Sequence, residues 1–282
     1  MSNNSAQPTR PEEVGRPYTA QSLERGLLAL AALRDAPRGD LALGELAQAV
    51  GLNRSTLHRL LATLLRHGYV AQDPSTRRYR LGLAHLEMAH QVVEQLVLRR
   101  QSLRTMHALA AESGESVYLN VRSGTRTLCI DEVVGPRGVT LGSNVGVAMP
   151  VHSAAAGKCY LAWMDPAERD ALLDRLDLTR VTERTITSRE ALLAEVERVR
   201  RRGYAVNDEE SEPGVRYAAA PVFDAAGDVA GALALGAAVL RVGHGEVEKL
   251  GAAVMVAAGR ISASLGYRGA AHREGARGRE AI

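Results

Sequence analysis

Six polar residues at the start of one helical pattern carry side chains that proteins use to bind DNA. They follow Gly51 and are Asn53, Arg54, Ser55, Thr56, His58 and Arg59. Arginine can form two hydrogen bonds with guanine, asparagine can do the same with adenine, and serine and threonine reach phosphate oxygens. A helix that presents these groups in its first two turns can enter the major groove. Recognition of duplex DNA is therefore the first hypothesis.

Apolar residues in the same stretch define the opposite face of this helix. Leucines recur at the i, i+3, i+4 spacing of a single helix face, at Leu57, Leu60, Leu61, Leu64 and Leu65. Asn53 can cap the first N–H groups, and Gly68 can adopt the left-handed conformation that ends a helix. The spacing predicts a helix between these two residues, with its polar face exposed.

The flanking segments predict a winged helix-turn-helix. Residues 45–50 form a short amphipathic pattern, and Gly51 supplies the turn. This earlier helix has Ala42 where a serine or threonine cap is expected, which costs about 1 kcal/mol unless Asp40 caps it instead. Two short strands, 69–71 and 79–81, enclose a turn, and Arg77 and Arg78 at its tip are expected to contact phosphates or the minor groove. The alternative is a three-helix core whose basic surface binds no DNA.

The composition fits two globular domains with one basic end. The chain has 282 residues, 46% of them hydrophobic and 24% charged, with a net charge of +3. Residues 20–81 hold nine arginines against five acidic residues, so this segment carries +4 and the remainder about −1. A basic module on a near-neutral body is typical of a protein that binds a polyanion at one end.

Cysteine usage and hydropathy predict a cytoplasmic protein. Cys129 and Cys159 lie thirty positions apart, and no Cys-x-x-Cys pair is present. No stretch reaches the roughly eighteen apolar residues that a membrane span needs, and residues 1–18 have no apolar segment of a signal peptide. We therefore expect no membrane association.

Beyond the wing, the pattern predicts an α+β body. Residues 83–113 predict one long or gently broken helix, which either makes dimer contacts or packs on its own body. From residue 115, alternating segments predict a hairpin and later strands, and capping boxes predict the helices between them. A closing helix is expected over 247–265. We predict an antiparallel sheet with helices on one or both sides.

Three patterns could instead indicate enzymatic or metal chemistry. His152 and Ser153 are adjacent and Cys159 follows, but no Gly-x-Ser-x-Gly or Cys-His arrangement accompanies them. Gly157 and Lys158 resemble part of a phosphate loop, yet the glycine required five residues earlier is His152. The acidic run 208–212 could bind a divalent ion, although a solvated loop is the simpler interpretation. We expect no catalytic residues, no cofactor and no metal.

Several separated motifs resemble those of IclR-family bacterial transcriptional regulators. The resemblance runs through residues 22–27, 51–61, 79–82, 150–158 (PVHSAAAGK), 202–210 and 214–222. It implies a DNA-binding domain joined by a helix to a GAF-like effector-binding domain, assembled as homodimers or homotetramers on a palindromic operator. The predicted bounds are a winged helix-turn-helix domain (20–82), a linker helix (83–101) and an effector-binding domain (102–266). The two tails fall outside the resemblance, and their polar composition predicts a disordered start (1–19) and a flexible end (267–282).

The resemblance also implies a pocket for a small-molecule effector. The positions expected to contact the effector are Leu141, Met149, Ala155, Ala156, Asn207, Tyr217, Ala234 and Gly236. Backbone N–H groups of Ala155 and Ala156, at a helix start, would hold a carboxylate. Ala234 and Gly236 stand where some relatives have polar side chains, so this pocket would lack their hydroxyl groups.

The late strand indicates how the pocket is shaped. Alternation puts Leu233 and Leu235 on one face and the small residues Ala232, Ala234 and Gly236 on the other. These small residues either admit a closely packed helix, leave volume for a ligand, or do both. We expect an organic acid whose apolar part lies over this face and Leu141. The alternatives are an architectural DNA-binding protein with a ligand-free oligomerisation domain, and a hydrolase or lyase.

Overall fold

A computed structural model describes residues 20–138 and 143–269 as two compact units. The N-terminal unit ends at Val92 and the C-terminal unit begins at Val93. The division falls inside the segment predicted as the linker, 83–101. The predicted disordered start and Leu141 lie outside the described residues, so both stay predictions.

The N-terminal unit is a helix-turn-helix followed by a two-stranded wing. Its elements are α1 (Gln21–Arg34), α2 (Leu43–Val50), α3 (Arg54–Arg66), β1 (Val70–Gln72), β2 (Tyr79–Leu81) and the first part of α4 (Ala84–Gln95). Its core joins Ala29 and Leu33 to residues of α2, α3 and the wing, namely Leu46, Ala47, Leu57, Leu61, Val70 and Tyr79. As expected, Asn53 caps α3 and Gly68 follows its end with a φ of 73°.

The start of α2 receives its cap from an acidic residue inside the helix. Ala42 has no side-chain oxygen to offer, and Asp40 does not replace it. The Glu45 carboxylate instead accepts a hydrogen bond from the Ala42 N–H at 2.8 Å. This is one half of a capping box, so the helix start is stabilised without the expected serine or threonine.

The C-terminal unit is built on one antiparallel sheet. The elements are α5 (Val97–Ser113), β3 (Ser116–Ser123), β4 (Arg126–Val133), β5 (Ala148–Pro150), α6 (Ala155–Trp163), α7 (Pro166–Leu173), α8 (Arg189–Arg202), β6 (Ala205–Asp208), β7 (Val215–Phe223), β8 (Val229–Ala238), a 3₁₀ turn (His244–Glu246) and α9 (Val247–Ser264). The strand order is β5-β4-β3-β8-β7-β6. The α+β fold class is confirmed, and the helix predicted over 83–113 is broken at Leu96.

Each face of this sheet packs against a different set of helices. Leu233 and Leu235 of β8 join the core formed with α5 and α9. Ala232 and Ala234, on the other face of β8, join the core formed with α6, α7 and α8. The predicted alternation is confirmed, and the small side chains of β8 allow α6 to lie close to the sheet.

Helix α6 is the most enclosed helix of this unit. All its residues from Ala155 to Ala162 are buried. A Cβ at Gly157 would lie 2.2 Å from the Val151 carbonyl oxygen, so the first turn of α6 tolerates no side chain there. The loop and the helix therefore form one tightly packed corner beside the sheet.

The chain remains packed slightly beyond the predicted start of the tail. The polar composition after α9 predicts a flexible tail that begins at Tyr267. The Tyr267 ring lies 4.9 Å from the Phe223 ring, and its N–H donates to the Ser262 carbonyl. Tyr267 thus contacts both α9 and β7, and the flexible tail predicted from residue 267 stays a prediction.

Candidate functional site

The polar residues predicted to bind DNA lie together at the start of α3. We call them the recognition surface; its members are Asn53, Arg54, Ser55, Thr56, His58 and Arg59. Asn53 Oδ1 accepts hydrogen bonds from the Thr56 N–H at 2.8 Å and from Ser55 Oγ at 2.9 Å. Thr56 is half-buried and the other five are exposed. The residue that caps α3 therefore also positions two other members of the recognition surface, because Asn53 is bonded to Ser55 and Thr56.

Arg54 is held beside the preceding helix. A Cβ at Gly44 would lie 3.0 Å from Arg54 Nη2, so the guanidinium group rests over this glycine of α2. A larger residue at position 44 would have to displace the guanidinium group. The side chain thus lies at the junction of the two helices.

The wing turn is organised by one carboxylate. Asp73 Oδ1 accepts hydrogen bonds from the N–H groups of Ser75 and Thr76, at 2.9 and 2.8 Å, and from both hydroxyls. These bonds, above all the one from the Ser75 hydroxyl, hold the pKa of Asp73 well below its usual range. The turn ends at Arg77, which has a φ of 59° and an exposed side chain. Arg77 is therefore free to meet a phosphate.

Arg78 is not exposed at the wing tip in the same way. Its Nε donates to Asp40 at 2.7 Å, and its Nη2 donates to Glu45 at 2.8 Å. The two ion pairs fix the wing to α2 and to the segment before it. Contact between Arg78 and DNA stays a prediction, but this side chain is already bound to two carboxylates of the N-terminal unit.

The C-terminal unit contains a cavity of about 260 Å³ between the sheet and the start of α6. Six predicted effector positions line it: Met149, Ala155, Ala156, Asn207, Tyr217 and Ala234. The sequence analysis did not name the other lining residues, which are Tyr118, Asn120, Thr127, Cys129, Asn144, Val147, Ala154, Ser211 and Glu212. The strand alternation could have identified Tyr118 and Asn120, which share the sheet face of Ala232 and Ala234.

Two predicted contacts with a ligand are replaced by contacts within the protein. Gly236 lies beneath two aromatic rings, since a Cβ there would approach Tyr217 to 2.6 Å and Tyr118 to 2.9 Å. Ala232 is fully buried in the core below α6. Gly236 therefore makes room for the tyrosine pair, whose ring centroids are 5.9 Å apart, and does not line the cavity.

One end of the cavity offers hydrogen-bond donors. Helix α6 starts after Ala154, whose side chain cannot cap it. Within the described residues, the N–H groups of Ala155 and Ala156 have no hydrogen-bond acceptor. Two free donors at a helix N-terminus carry a partial positive charge and favour an anion.

Asn207 shapes the cavity by joining its two walls. Its Nδ2 donates to the Ser153 carbonyl at 2.9 Å and to Ser211 Oγ at 2.6 Å, and its Oδ1 accepts from the Glu210 N–H at 2.7 Å. These bonds occupy both amide hydrogens and the oxygen. Asn207 therefore connects the loop before α6 to the loop after β6 and has little capacity left for a ligand.

A buried ion pair reinforces the same connection. The fully buried Lys158 ammonium donates to the Val206 carbonyl at 2.9 Å and to Glu210 Oε1. Burial raises the pKa of Glu210, while the neighbouring ammonium opposes that rise. Breaking such a pair leaves one charge buried without compensation. Lys158 thus anchors the first turn of α6 to β6 and to the loop that follows it.

Residues considered for other chemistry have structural partners. His152 Nε2 lies 3.0 Å from the Thr179 carbonyl, and burial lowers the pKa of His152. Burial raises the pKa of Cys159 to about 12, so its thiol stays protonated. Over residues 20–138 and 143–269, no cluster of three potential metal ligands occurs, and no helix is both long and apolar enough to cross a bilayer.

Comparison with known proteins covers both units. Residues 90–263 match the family described as "Bacterial transcriptional regulator IclR C-terminal". Residues 22–74 match the family described as "IclR helix-turn-helix domain". The first match holds the cavity, and the second holds the recognition surface.

Similarity to individual proteins extends over nearly their whole length. The chain is 34% identical to the HTH-type transcriptional regulator XynR of Escherichia coli K12, over 88% of this chain and 98% of that protein. It is 34% identical to the glycerol operon regulatory protein of Streptomyces coelicolor, over 87% and 96% of the two chains. The solved IclR-type regulator of Alicyclobacillus acidocaldarius superposes with a TM-score of 0.74 at 29% identity, over 87% and 99%.

The buried pair gives a stability prediction. Lys158→Met should lower the free energy of unfolding of the C-terminal unit by about 3 to 5 kcal/mol, because Glu210 is left buried without its partner. Lys158→Met/Glu210→Leu should recover part of that loss, because neither charge is then buried. Urea unfolding followed by the fluorescence of Trp163, the only tryptophan, measures this.

The exposed Lys249 offers a matched control. Lys249→Met should leave the free energy of unfolding within about 0.5 kcal/mol of that of the original protein. An equal loss in both lysine variants would show that the buried pair has no special role.

Proposed function

The chain belongs to the IclR family of bacterial transcriptional regulators, and on that premise we propose that a small organic acid in the cavity controls its binding to a specific operator. As a family member it is a DNA-binding transcriptional regulator and not an enzyme. The observation that supports the sensing role best is the cavity itself, whose wall includes two free N–H groups at the start of a buried helix.

The recognition surface supplies the contacts with bases. Arg54, His58 and Arg59 project from the first two turns of α3 and are exposed. Arg54 is the candidate for a bidentate contact with guanine, since its guanidinium group lies at the edge of the helix start. Arg77 contacts a phosphate next to the major groove. Arg78 fixes the wing to Asp40 and Glu45 and so positions Arg77 for this contact.

An apolar surface on the N-terminal unit supports a homodimer. Helix α1 exposes Leu23, Leu27 and Leu28, of which Leu23 is 64% exposed. The same unit exposes leucine, methionine and valine in and just before α4, at Leu83, Leu86, Met88 and Val92. Exposed apolar residues at helical spacing mark interfaces, and two copies related by a two-fold axis place their recognition helices on a palindromic site.

The cavity is the site of the effector. A carboxylate accepts hydrogen bonds from Ala155 and Ala156, and the apolar part contacts Met149, Ala234 and the tyrosine rings. Asn207 and Lys158 link the start of α6 to β6 and to the loop after β6. An effector bound between these elements changes the distance between them. Binding shifts the population between two arrangements of the paired DNA-binding units.

Removing the guanidinium group of Arg54 should weaken binding to a DNA fragment selected by the protein itself. For Arg54→Ala we expect a loss of about 1 to 3 kcal/mol and relaxed specificity at one base pair. Arg77→Ala should instead weaken binding to all DNA sequences alike. It should also lower the slope of log affinity against log salt concentration by about one ion. Fluorescence anisotropy over a range of salt concentrations separates the two effects.

Arg66 provides the control, because it is exposed at the opposite end of α3. Arg66→Ala should keep the sequence preference of the original protein. If Arg54→Ala bound the selected fragment as tightly as the original protein, the assignment of the recognition surface would be wrong.

Charges placed on the apolar surface should disrupt the dimer. Leu23→Glu/Leu27→Glu is expected to give a smaller species in sedimentation experiments and to lose affinity for a palindromic fragment, because two buried carboxylates oppose association. Leu240, 95% exposed in the C-terminal unit, is the matched position, and Leu240→Glu should change neither property. An unchanged mass and affinity in the α1 variant would exclude this interface.

A ligand in the cavity should raise the unfolding temperature of the C-terminal unit. An acid present at a hundred times its dissociation constant adds about 2.7 kcal/mol of stability. A thermal-shift screen of organic acids, followed by anisotropy with DNA, tests both binding and control. If no acid stabilised the protein, an architectural protein with a ligand-free second domain would be favoured.

A further inference from the structure

A groove of about 280 Å³ lies between α5 and α9 in the C-terminal unit. Its floor is apolar, because Leu109 and Ala257 are buried there and Ala253 is half-buried. The α9 side of the groove is formed by Ala252 and Val256, which are exposed, and Val256 is 57% exposed. The described part of the chain thus leaves an apolar surface between two helices uncovered.

Helix α9 also contains an exposed glycine that no contact within the described residues requires. Gly259 lies inside the helix, and a Cβ placed there would meet no atom within 4 Å. Glycine inside a helix is destabilising relative to alanine. Its spacing from Ala252 and Val256 puts it on the same face of α9. Small side chains on this face let a second helix approach closely.

The two ends of the groove carry opposite charges. Glu112 near the end of α5 and Arg260 near the end of α9 both line the groove and are exposed. The two helices run antiparallel, because Glu115, just after α5, pairs with Arg241, which precedes α9, at 2.9 Å. Glu112 therefore lies at the end of the groove near the start of α9, and Arg260 lies at the other end.

Neither of these two charges is neutralised within the described residues. The side chains of Glu112 and Arg260 form no ion pair and no hydrogen bond there. Other exposed charges on helices of this unit are paired, as Arg189 is with Asp170 at 3.2 Å. The groove thus combines an apolar centre with one free charge of each sign, at opposite ends.

Such a groove is complementary to a second copy of itself. A two-fold axis perpendicular to α5 and α9, passing near Val256, brings the Glu112 end of one copy to the Arg260 end of the other. The contact then has an apolar centre and two ion pairs related by symmetry. An axis parallel to the helices would instead bring like charges together at both ends, which opposes association.

We propose that the groove between α5 and α9 binds the same groove of a second copy of this chain, across a two-fold axis perpendicular to the two helices. The interface is separate from the one proposed for the apolar surface of α1 and α4, and it requires no effector. Because two isologous interfaces on one chain join dimers in pairs, the full chain is a tetramer.

Sedimentation velocity of the full chain distinguishes the two interfaces. The original protein should sediment as a tetramer at micromolar concentration. Val256→Lys should sediment as a dimer, because two ammonium groups then meet near the axis, and its combination with Leu23→Glu/Leu27→Glu should give a monomer. Val181→Lys is the matched control, since this valine is 44% exposed outside the groove, and it should leave the mass unchanged.

Exchange of the two charges tests the pairing across the axis. In the Leu23→Glu/Leu27→Glu background, Glu112→Arg alone and Arg260→Glu alone should each raise the dissociation constant about tenfold or more, because two symmetry-related pairs become repulsive. An equimolar mixture of these two single variants should recover the association, because opposite charges then meet at both ends. An ion pair within one chain would not be restored by mixing.

Circular dichroism confirms that each variant is folded. A mass unchanged by Val256→Lys would overturn the proposal, as would single charge variants that associate as tightly as their background or a mixture that recovers nothing. A full chain no larger than a dimer, reduced to a monomer by Leu23→Glu/Leu27→Glu, would also overturn it. If Val256→Lys halves the mass while Leu23→Glu/Leu27→Glu leaves it unchanged, the groove interface stands and the proposed N-terminal interface fails.

Discussion

A helix that starts inside a protein must find partners for its first N–H groups, and α6 is such a helix. Its first eight residues are buried, its cap position is an alanine, and Gly157 allows the preceding loop to approach to contact distance. Unpaired N–H groups in an apolar core are costly. In this protein they face a cavity, where water or an anion can accept their hydrogen bonds.

The other polar contacts of the C-terminal unit follow from this arrangement. The first turn of α6 packs tightly against the preceding loop, and further polar contacts connect this corner to β6 and the loop that follows it. Asn207 and the buried pair of Lys158 with Glu210 provide them, and both reach the loop after β6. Ser211 and Glu212 of that loop line the same cavity, so the two linked walls border one space.

The N-terminal unit must hold polar side chains in place at its surface. Side chains that bind DNA must be exposed, yet flexible arginines lose conformational entropy when they are ordered. Asn53 orders its hydroxyl neighbours, Gly44 leaves room for the Arg54 guanidinium group, and Arg78 fixes the wing through Asp40 and Glu45. Of the two wing arginines, the chain therefore uses Arg78 for its own structure and leaves Arg77 exposed.

Local patterns in the sequence determined the elements and much of the candidate site. The leucine spacing of α3, its Asn53 cap and the alternation of β8 depend only on neighbouring residues, and each is present in the structure. The family resemblance, and not local spacing, pointed to the start of α6 as part of an effector site, and Ala155 and Ala156 do line the cavity. Tertiary structure alone decided that Gly236 lies under two tyrosines, that Arg78 is paired, and that Glu212 lines the cavity without a cation. These features depend on side chains brought together from distant parts of the chain, and local spacing contains no information about which of them will meet.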